Sequence, residues 1–172
     1  MTKFTIQHDN RGSVEHGLNT EEIFKQLVIR KGGRVLEATQ NDDIHRHIDK
    51  YIEFRNKKYS VDIKAVKKKQ AGTGFEFQDT WLWVEFKNVL GSKGWLYGDM
   101  DLFAFERAHD FIICPSKDVR TLAEELVDFD AKVRRACWAE YNIYQRRGRK
   151  DQISMIRYDD LLKIKHHKIW KK

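Results

Sequence analysis

The sequence predicts an α/β domain whose mixed, mostly antiparallel β-sheet is flanked by helices. Three observations carry this expectation. Residues 20–30 place Ile23, Phe24, Leu27 and Val28 at helical spacing. His47 to Lys64, HIDKYIEFRNKKYSVDIK, reads as two β-branched and aromatic strands around the polar turn Arg55–Lys58. Thr80 to Val89 and Asp110 to Ser116 are further apolar strand segments, and Asp118 to Phe129 carries Val119, Leu122, Ala123, Leu126 and Val127 on one helical stripe.

Composition bounds the rest. A chain of 172 residues, 41% hydrophobic and 12% aromatic, suffices for one domain with its own core. We therefore expect residues 1–172 to form a single domain, with its core at about 17–128 and a basic C-terminal hairpin and tail at 141–172. No apolar run is long enough to span a membrane, and the first residues do not form a signal peptide. Only Cys114 and Cys137 are present, which predicts reduced thiols and a cytoplasmic protein. The net charge is +7, and Arg146–Lys172, with ten Lys/Arg against three Asp/Glu, accounts for all of it. A second basic run, Arg55–Lys69, adjoins the first hairpin. Positive charge concentrated in this way predicts a nucleic-acid partner.

In chain order, residues 1–16 have little pattern and predict a frayed lead-in. Asn19 or Thr20 caps the first helix, Glu21 and Glu22 suit its positive end, and Gly32-Gly33 stops it. Arg34–Thr39 is the first strand, and Gln40–Arg46 a polar connection. The hairpin follows. A two-residue turn at Asn56-Lys57 pairs Arg55 with Lys58, which sets Tyr51 opposite Asp62 and Asp49 opposite Lys64. An even loop gathers Asp49, Tyr51, Ser60, Asp62 and Lys64 on one face; one extra residue would send one strand's set to the other. Two carboxylates can hold a divalent cation, and a lysine beside them can orient water or offset charge on phosphate. His47 shares the face of Asp49 if its strand begins early.

Lys67, Lys68 and Lys69 then open a polar loop that reaches Asp79. They are candidate phosphate contacts, and Phe75 and Phe77 either pack back onto the sheet or stack on bases. In Thr80–Val89 the acid-x-lysine pair Glu85 and Lys87 joins the polar cluster if this strand lies beside Tyr59–Val66. Asp101 either serves the site or caps a turn. Asp101–Glu106 and Asp110–Ser116 form a second hairpin ended by Pro115. The helix 118–129 continues into a short second helix over 130–138. Tyr141–Gln145 and Gln152–Tyr158 make a final hairpin with Arg146, Arg147, Arg149 and Lys150 at its tip, suited to gripping phosphate. Residues 159–164 form a short capped helix before a basic tail, KHHKIWKK.

Asp49, twelve residues, then Asp62-x-Lys64 resembles the active-site signature of the PD-(D/E)XK nuclease superfamily, although Ile48 stands where that signature has proline. The order helix, strand, hairpin is the one expected of that restriction-endonuclease-like core. GLNTEEIFKQLVIRKGGRVLEAT resembles the opening of phage and archaeal Holliday-junction-resolvase-like nucleases, and GWLYGDMDLFAFE resembles the run that follows their Glu-x-Lys. The resemblance implies a metal-dependent DNA endonuclease acting on branched or structured DNA, in a prokaryotic cell or phage-infected host. It implies Asp49, Asp62, a first-helix glutamate (Glu21) and Glu85 as ligands of Mg²⁺ or Mn²⁺, with Lys64 or Lys87 as the catalytic lysine. Paired cuts would call for a homodimer. The rival expectation is a nuclease-like fold that binds DNA in recombination or assembly without cutting it.

Overall fold

The computed structural model describes residues 7–67 and 79–172. Lys68, Lys69, Phe75 and Phe77 lie outside the described residues. The fold is α/β with mixed, mostly antiparallel pairing, as the sequence predicts, but the strands form two sheets rather than one and the helices are few.

Helix α1 runs over Gln7–Arg30. It begins well before Asn19, so the cap at Asn19 or Thr20 is not correct, and of the expected lead-in the described residues, 7–16, are helical. Thr20 is fully buried, and its hydroxyl donates to the carbonyl of His16 and to the Glu106 carboxylate. A threonine so engaged is a mid-helix residue bonded back one turn. The helix stops where predicted: Gly32 takes φ +79° and the Gly33 N–H closes onto Val28 O.

Strands β1 (Arg34–Glu37), β2 (Lys50–Phe54) and β3 (Lys57–Lys64) form an antiparallel meander. Strand β4 (Trp81–Lys87) leaves this sheet. Strand β5 (Leu102–Glu106) returns to lie parallel to β3, and β6 (Asp110–Pro115) pairs with β5 as the expected second hairpin. Helix α2 follows over Ser116–Leu126. The segment expected to be a second helix is instead strand β7 (Asp128–Val133) and a single 3₁₀ turn, Ala136–Trp138. Its alternating Asp128, Asp130 and Lys132 have no apolar stripe at helical spacing to bury. Strands β8 (Asn142–Tyr144) and β9 (Gln152–Arg157) form the predicted last hairpin. After the short helix α3 (Tyr158–Leu161), the tail is not loose: Lys168–Lys171 is strand β10, paired with β6. Trp170 explains this, stacking on Phe24 at 5.8 Å and meeting the edge of Phe54 at 5.6 Å.

The six-stranded sheet has the order β1-β2-β3-β5-β6-β10, and the four-stranded sheet the order β4-β9-β8-β7. Strand β4 is therefore not beside β3, contrary to the arrangement that would have brought Glu85 and Lys87 into the hairpin's polar cluster. Alternation along the strands builds two cores. Ile52, Val61, Ile63, Ala104, Phe111 and Ile113 meet Phe24, Leu27 and Val28 of α1. On the other face Phe103, Phe105, Ile112 and Cys114 meet Leu82, Val84 and Phe86 of β4 and Val119 and Ala123 of α2. Both cysteines are free thiols.

Candidate active site

The site rests on the β2–β3 hairpin, and the turn decides its geometry. The register pairs Phe54 with Lys57, so the two turn residues are Arg55 and Asn56, with φ of +48° and +64°. Such a turn needs both central residues in the left-handed region. Asparagine tolerates that conformation well, which draws the turn one residue towards the N-terminus. The expected pairing of Arg55 with Lys58 is thus corrected by two positions in register. Tyr51 lies opposite Ser60, not Asp62. The ladder ends at the Lys50–Val61 pair, and the Asp49 N–H donates to that same Val61 O, so Asp49 sits at the end of the ladder beside Lys50 and not opposite Lys64. A shift of two preserves the parity of the side chains. The polar set therefore still shares one face, and the correction brings the two carboxylates directly together.

Asp62 is 1% exposed, and its Oδ1 accepts an ion pair from Lys64 Nζ at 2.7 Å. Asp49 Oδ2 accepts from the Ile63 N–H at 2.6 Å. The two carboxyl groups lie close enough for each to act on the other's ionisation. Burial, and next the charge of Asp62, push Asp49 up to about 7. Burial also raises Asp62, against the pull of Lys64. Asp62 Oδ2 is buried with no donor directed at it among the described residues. A shielded carboxylate oxygen without a donor and a second acid raised by its charge are what a hard cation would relieve.

Lys64 is held from two sides. Besides Asp62, its ammonium lies 4.8 Å from the centre of the Trp95 ring, and Trp95 packs edge-on to Phe103 at 5.2 Å. Trp95 opens a 3₁₀ turn, Trp95–Tyr97, between Gly94 and Gly98. A Cβ on Gly94 would stand 2.2 Å from Glu85 O, and one on Gly98 2.8 Å from Arg46 O. The glycines of GWLYGD thus let this loop press against β4 on one side and the segment before Asp49 on the other. That segment is a π turn, Asp42–Arg46, closed by His47 at φ +54°. Arg46 binds Asp42 at 2.9 Å and Asp99 at 3.4 Å, and the Asp99 N–H donates to Arg46 O. Burial, and then the positive charge of Lys64, lower the pKa of His47; Glu85 and Asp49 act on it in the opposite sense. His47 thus stands among the charges of the site as a neutral imidazole at neutral pH.

The remaining candidates are distributed around this centre. Glu21 projects from α1 to Lys50 at 2.8 Å, and Lys50 also binds Glu37 at 2.8 Å. Burial raises Glu21, and Asp49 is among the charges that act on it. Glu85 Oε1 accepts from the Trp95 N–H at 3.4 Å. Lys87 is exposed and separated from Glu85 by a β-bulge; the charges acting most on Asp49 are those of Asp62 and Lys64, and on Asp62 those of Lys64 and Asp43, not that of Lys87. Lys67 follows β3, where loss of solvent and then the charge of Lys64 lower its pKa. Asp101 is a fastener: its Oδ2 accepts from both the N–H and the hydroxyl of Ser60 at 2.8 Å, joining β3 to β5. At the hairpin tip Arg146 is bound to buried Asp151, whereas Arg147, Arg149 and Lys150 are exposed.

Two features went unread in the sequence. Trp95 was legible only as part of a shaped loop, because its partner Lys64 is thirty-one positions away in the numbering. Glu106 is 1% exposed and accepts from Thr20, Val66 N–H and Lys172. Its signal was present: in LFAFE it falls on the buried face of Ala104, where a charge implies partners. Among the described residues no group of three or more His, Cys, Asp or Glu side chains stands ready to hold a metal. Two carboxylates do fit Mg²⁺, which keeps several waters and commonly binds one or two acids with substrate phosphate. No family model, curated protein or solved structure matches the chain.

Proposed function

We propose that the protein is a metal-dependent DNA endonuclease of the PD-(D/E)XK type. The observation that carries this reading is buried Asp62, with half-buried Asp49 beside it and Lys64 bound to it at 2.7 Å. The order of helix, strand and hairpin supports it, as do the exposed cations Arg147, Arg149 and Lys150.

Asp49 and Asp62 would hold Mg²⁺ or Mn²⁺, and Glu21 and Glu85 stand at the edge of the site. When bound, such an ion supplies charge to the phosphate and acidifies a water. Lys64, steadied by Trp95 and Asp62, would orient the attacking water and offset the charge that develops on the phosphate oxygens. His47, largely uncharged at neutral pH, is available to accept a hydrogen bond from the same water. Water attacks, the P–O bond to the leaving sugar oxygen breaks, and no residue is modified.

The test is cleavage of linear duplex, single-stranded, flap and four-way-junction DNA with Mg²⁺, Mn²⁺ or EDTA. We expect metal-dependent cutting that falls at least about a hundredfold in Asp62→Ala, the scale of losing one preorganised electrostatic group, with DNA binding retained. Tight binding without cutting under either metal would leave the chain as a DNA-binding factor.

A further inference from the structure

Two loops of the four-stranded sheet's hairpins meet beyond the site. The Lys150 N–H donates to Val89 O at 3.1 Å, and Gly91 lies against the Lys150 side chain, where an added Cβ would be 3.2 Å from that residue's own Cβ. Lys87 and Lys93 bridge the base of the first loop. Arg146, anchored to Asp151 by both backbone and side chain, fixes the second. Lys87, Lys93, Arg147, Arg149 and Lys150 are all exposed and have no ion pair among the described residues. At the tip between them stands Leu90, 77% exposed, beside Val89 at 41%.

This arrangement is unfavourable for the free protein on two counts. Like charges are gathered by a fixed backbone, and a large apolar side chain is held in water beside them, between Val89 and Gly91, which both meet Lys150. A polyanion with an accessible apolar interior relieves both. DNA offers phosphates outside and base faces within, but the faces are reachable only where stacking is broken, and apolar wedges enter most cheaply there.

We propose that the loop pair 87–93 and 146–150 seats an interruption in duplex DNA, such as a branch point, gap or flap junction. Leu90 abuts the exposed base pair and the five cations hold the flanking phosphates. The proposal rests on the nuclease reading for its position relative to the cut. Glu85 borders the site, and five residues at about 3.3 Å each place Leu90, in the turn after β4, no more than about 17 Å from it. At about 3.4 Å per nucleotide that is at most about five base pairs from the scissile phosphate. The interruption and the cut would then lie within about half a helical turn of each other.

The experiment measures binding of the full chain in EDTA, where nothing is cut, to a continuous duplex and to the same sequence carrying a four-way branch. We expect the branched form to bind at least about tenfold more tightly, and Leu90→Ala to bring the ratio of the two dissociation constants close to one. Lys93→Ala with Arg149→Ala should lower the slope of log affinity against log salt by about two, at about 0.9 for each phosphate that is no longer neutralised. Equal binding of both DNAs, a preference that survives Leu90→Ala, or an unchanged salt slope would each overturn the proposal. So would binding to phosphatidylserine vesicles that depends on Leu90 while the DNA preference does not. Failure of the wild-type protein to cut with any metal, with the branch preference intact, would strike the nuclease reading alone.

Discussion

At the scale of single residues, the Asp49–Asp62 pair dominates the chemistry. A buried acid whose folded pKa lies above its unfolded value binds a proton more readily when folded. For Asp49 the two values are about 7 and 3.8. Below the lower value both states are protonated, and above the upper one both are ionised, so stability changes only between them. In that window the folded state holds more protons, and stability must fall as pH rises. At about 1.4 kcal/mol per pH unit, we expect the metal-free protein to lose at most about 4 kcal/mol between about pH 4 and pH 7, with little further loss from this group above. Urea unfolding across that range checks it, and excess Mg²⁺ should remove most of the loss by binding the folded state alone. Stability that rises with pH through this window in EDTA would show that the pair is not strained by its own charge. The residue types and spacing of Asp49, Asp62 and Lys64 were legible in the sequence. Their exact placement was not, because the register depended on which two residues occupied the turn and Asp49 lies just past the last ladder pair.

At the scale of elements, that turn and the GWLYGD loop position the site. Arg55 adopts φ +48°, a conformation that disfavours a side chain by about 1–2 kcal/mol. Arg55→Gly should therefore stabilise the protein by about 1 kcal/mol with cleavage unchanged, since the register and face parity remain. Inserting a residue between Arg55 and Asn56 should instead abolish cutting by turning one carboxylate to the other face. Gly94 faces the opposite constraint. A Cβ there meets Glu85 backbone atoms at 2.2 and 2.6 Å, which β4 holds in place. Gly94→Ala should destabilise by about 3 kcal/mol, whereas Gly17→Ala, in α1 with nothing within 4 Å, should stabilise by about 1 kcal/mol. Urea midpoints of both variants measured together separate collision from helix propensity. Element type was read correctly for the β2–β3, β5–β6 and β8–β9 hairpins because alternation and turn residues are local. β7 was misread because a short, charged edge strand carries little apolar pattern of either period.

At the scale of the whole molecule, distant segments close the fold around α1. β10 joins the sheet edge, Trp170 fills the space between Phe24 and Phe54, and Lys172 reaches Glu106 at 2.7 Å. Trp170→Ala should cost about 3 kcal/mol, the usual loss for a large aromatic in a packed cluster. Differential scanning calorimetry would show it, and a change below about 0.5 kcal/mol, that of a surface substitution, would mean that the tail contributes little to the core. No helix among the described residues is long and apolar enough to cross a membrane.

The sequence by itself determined the α/β class, the order of most elements, the parity of the hairpin faces and the chemical types gathered at the site. These follow from periodicity and turn chemistry, which act over a few residues. The tertiary structure alone decided that β4 leaves the sheet of β3, that Trp95 supports Lys64, that Glu106 ties α1 to the C-terminus, and that the loop carrying Leu90 meets Lys150. Each of these joins residues that the chain does not place near each other. Their energies come from packing and from the burial of charge, which exist only once both partners have left water.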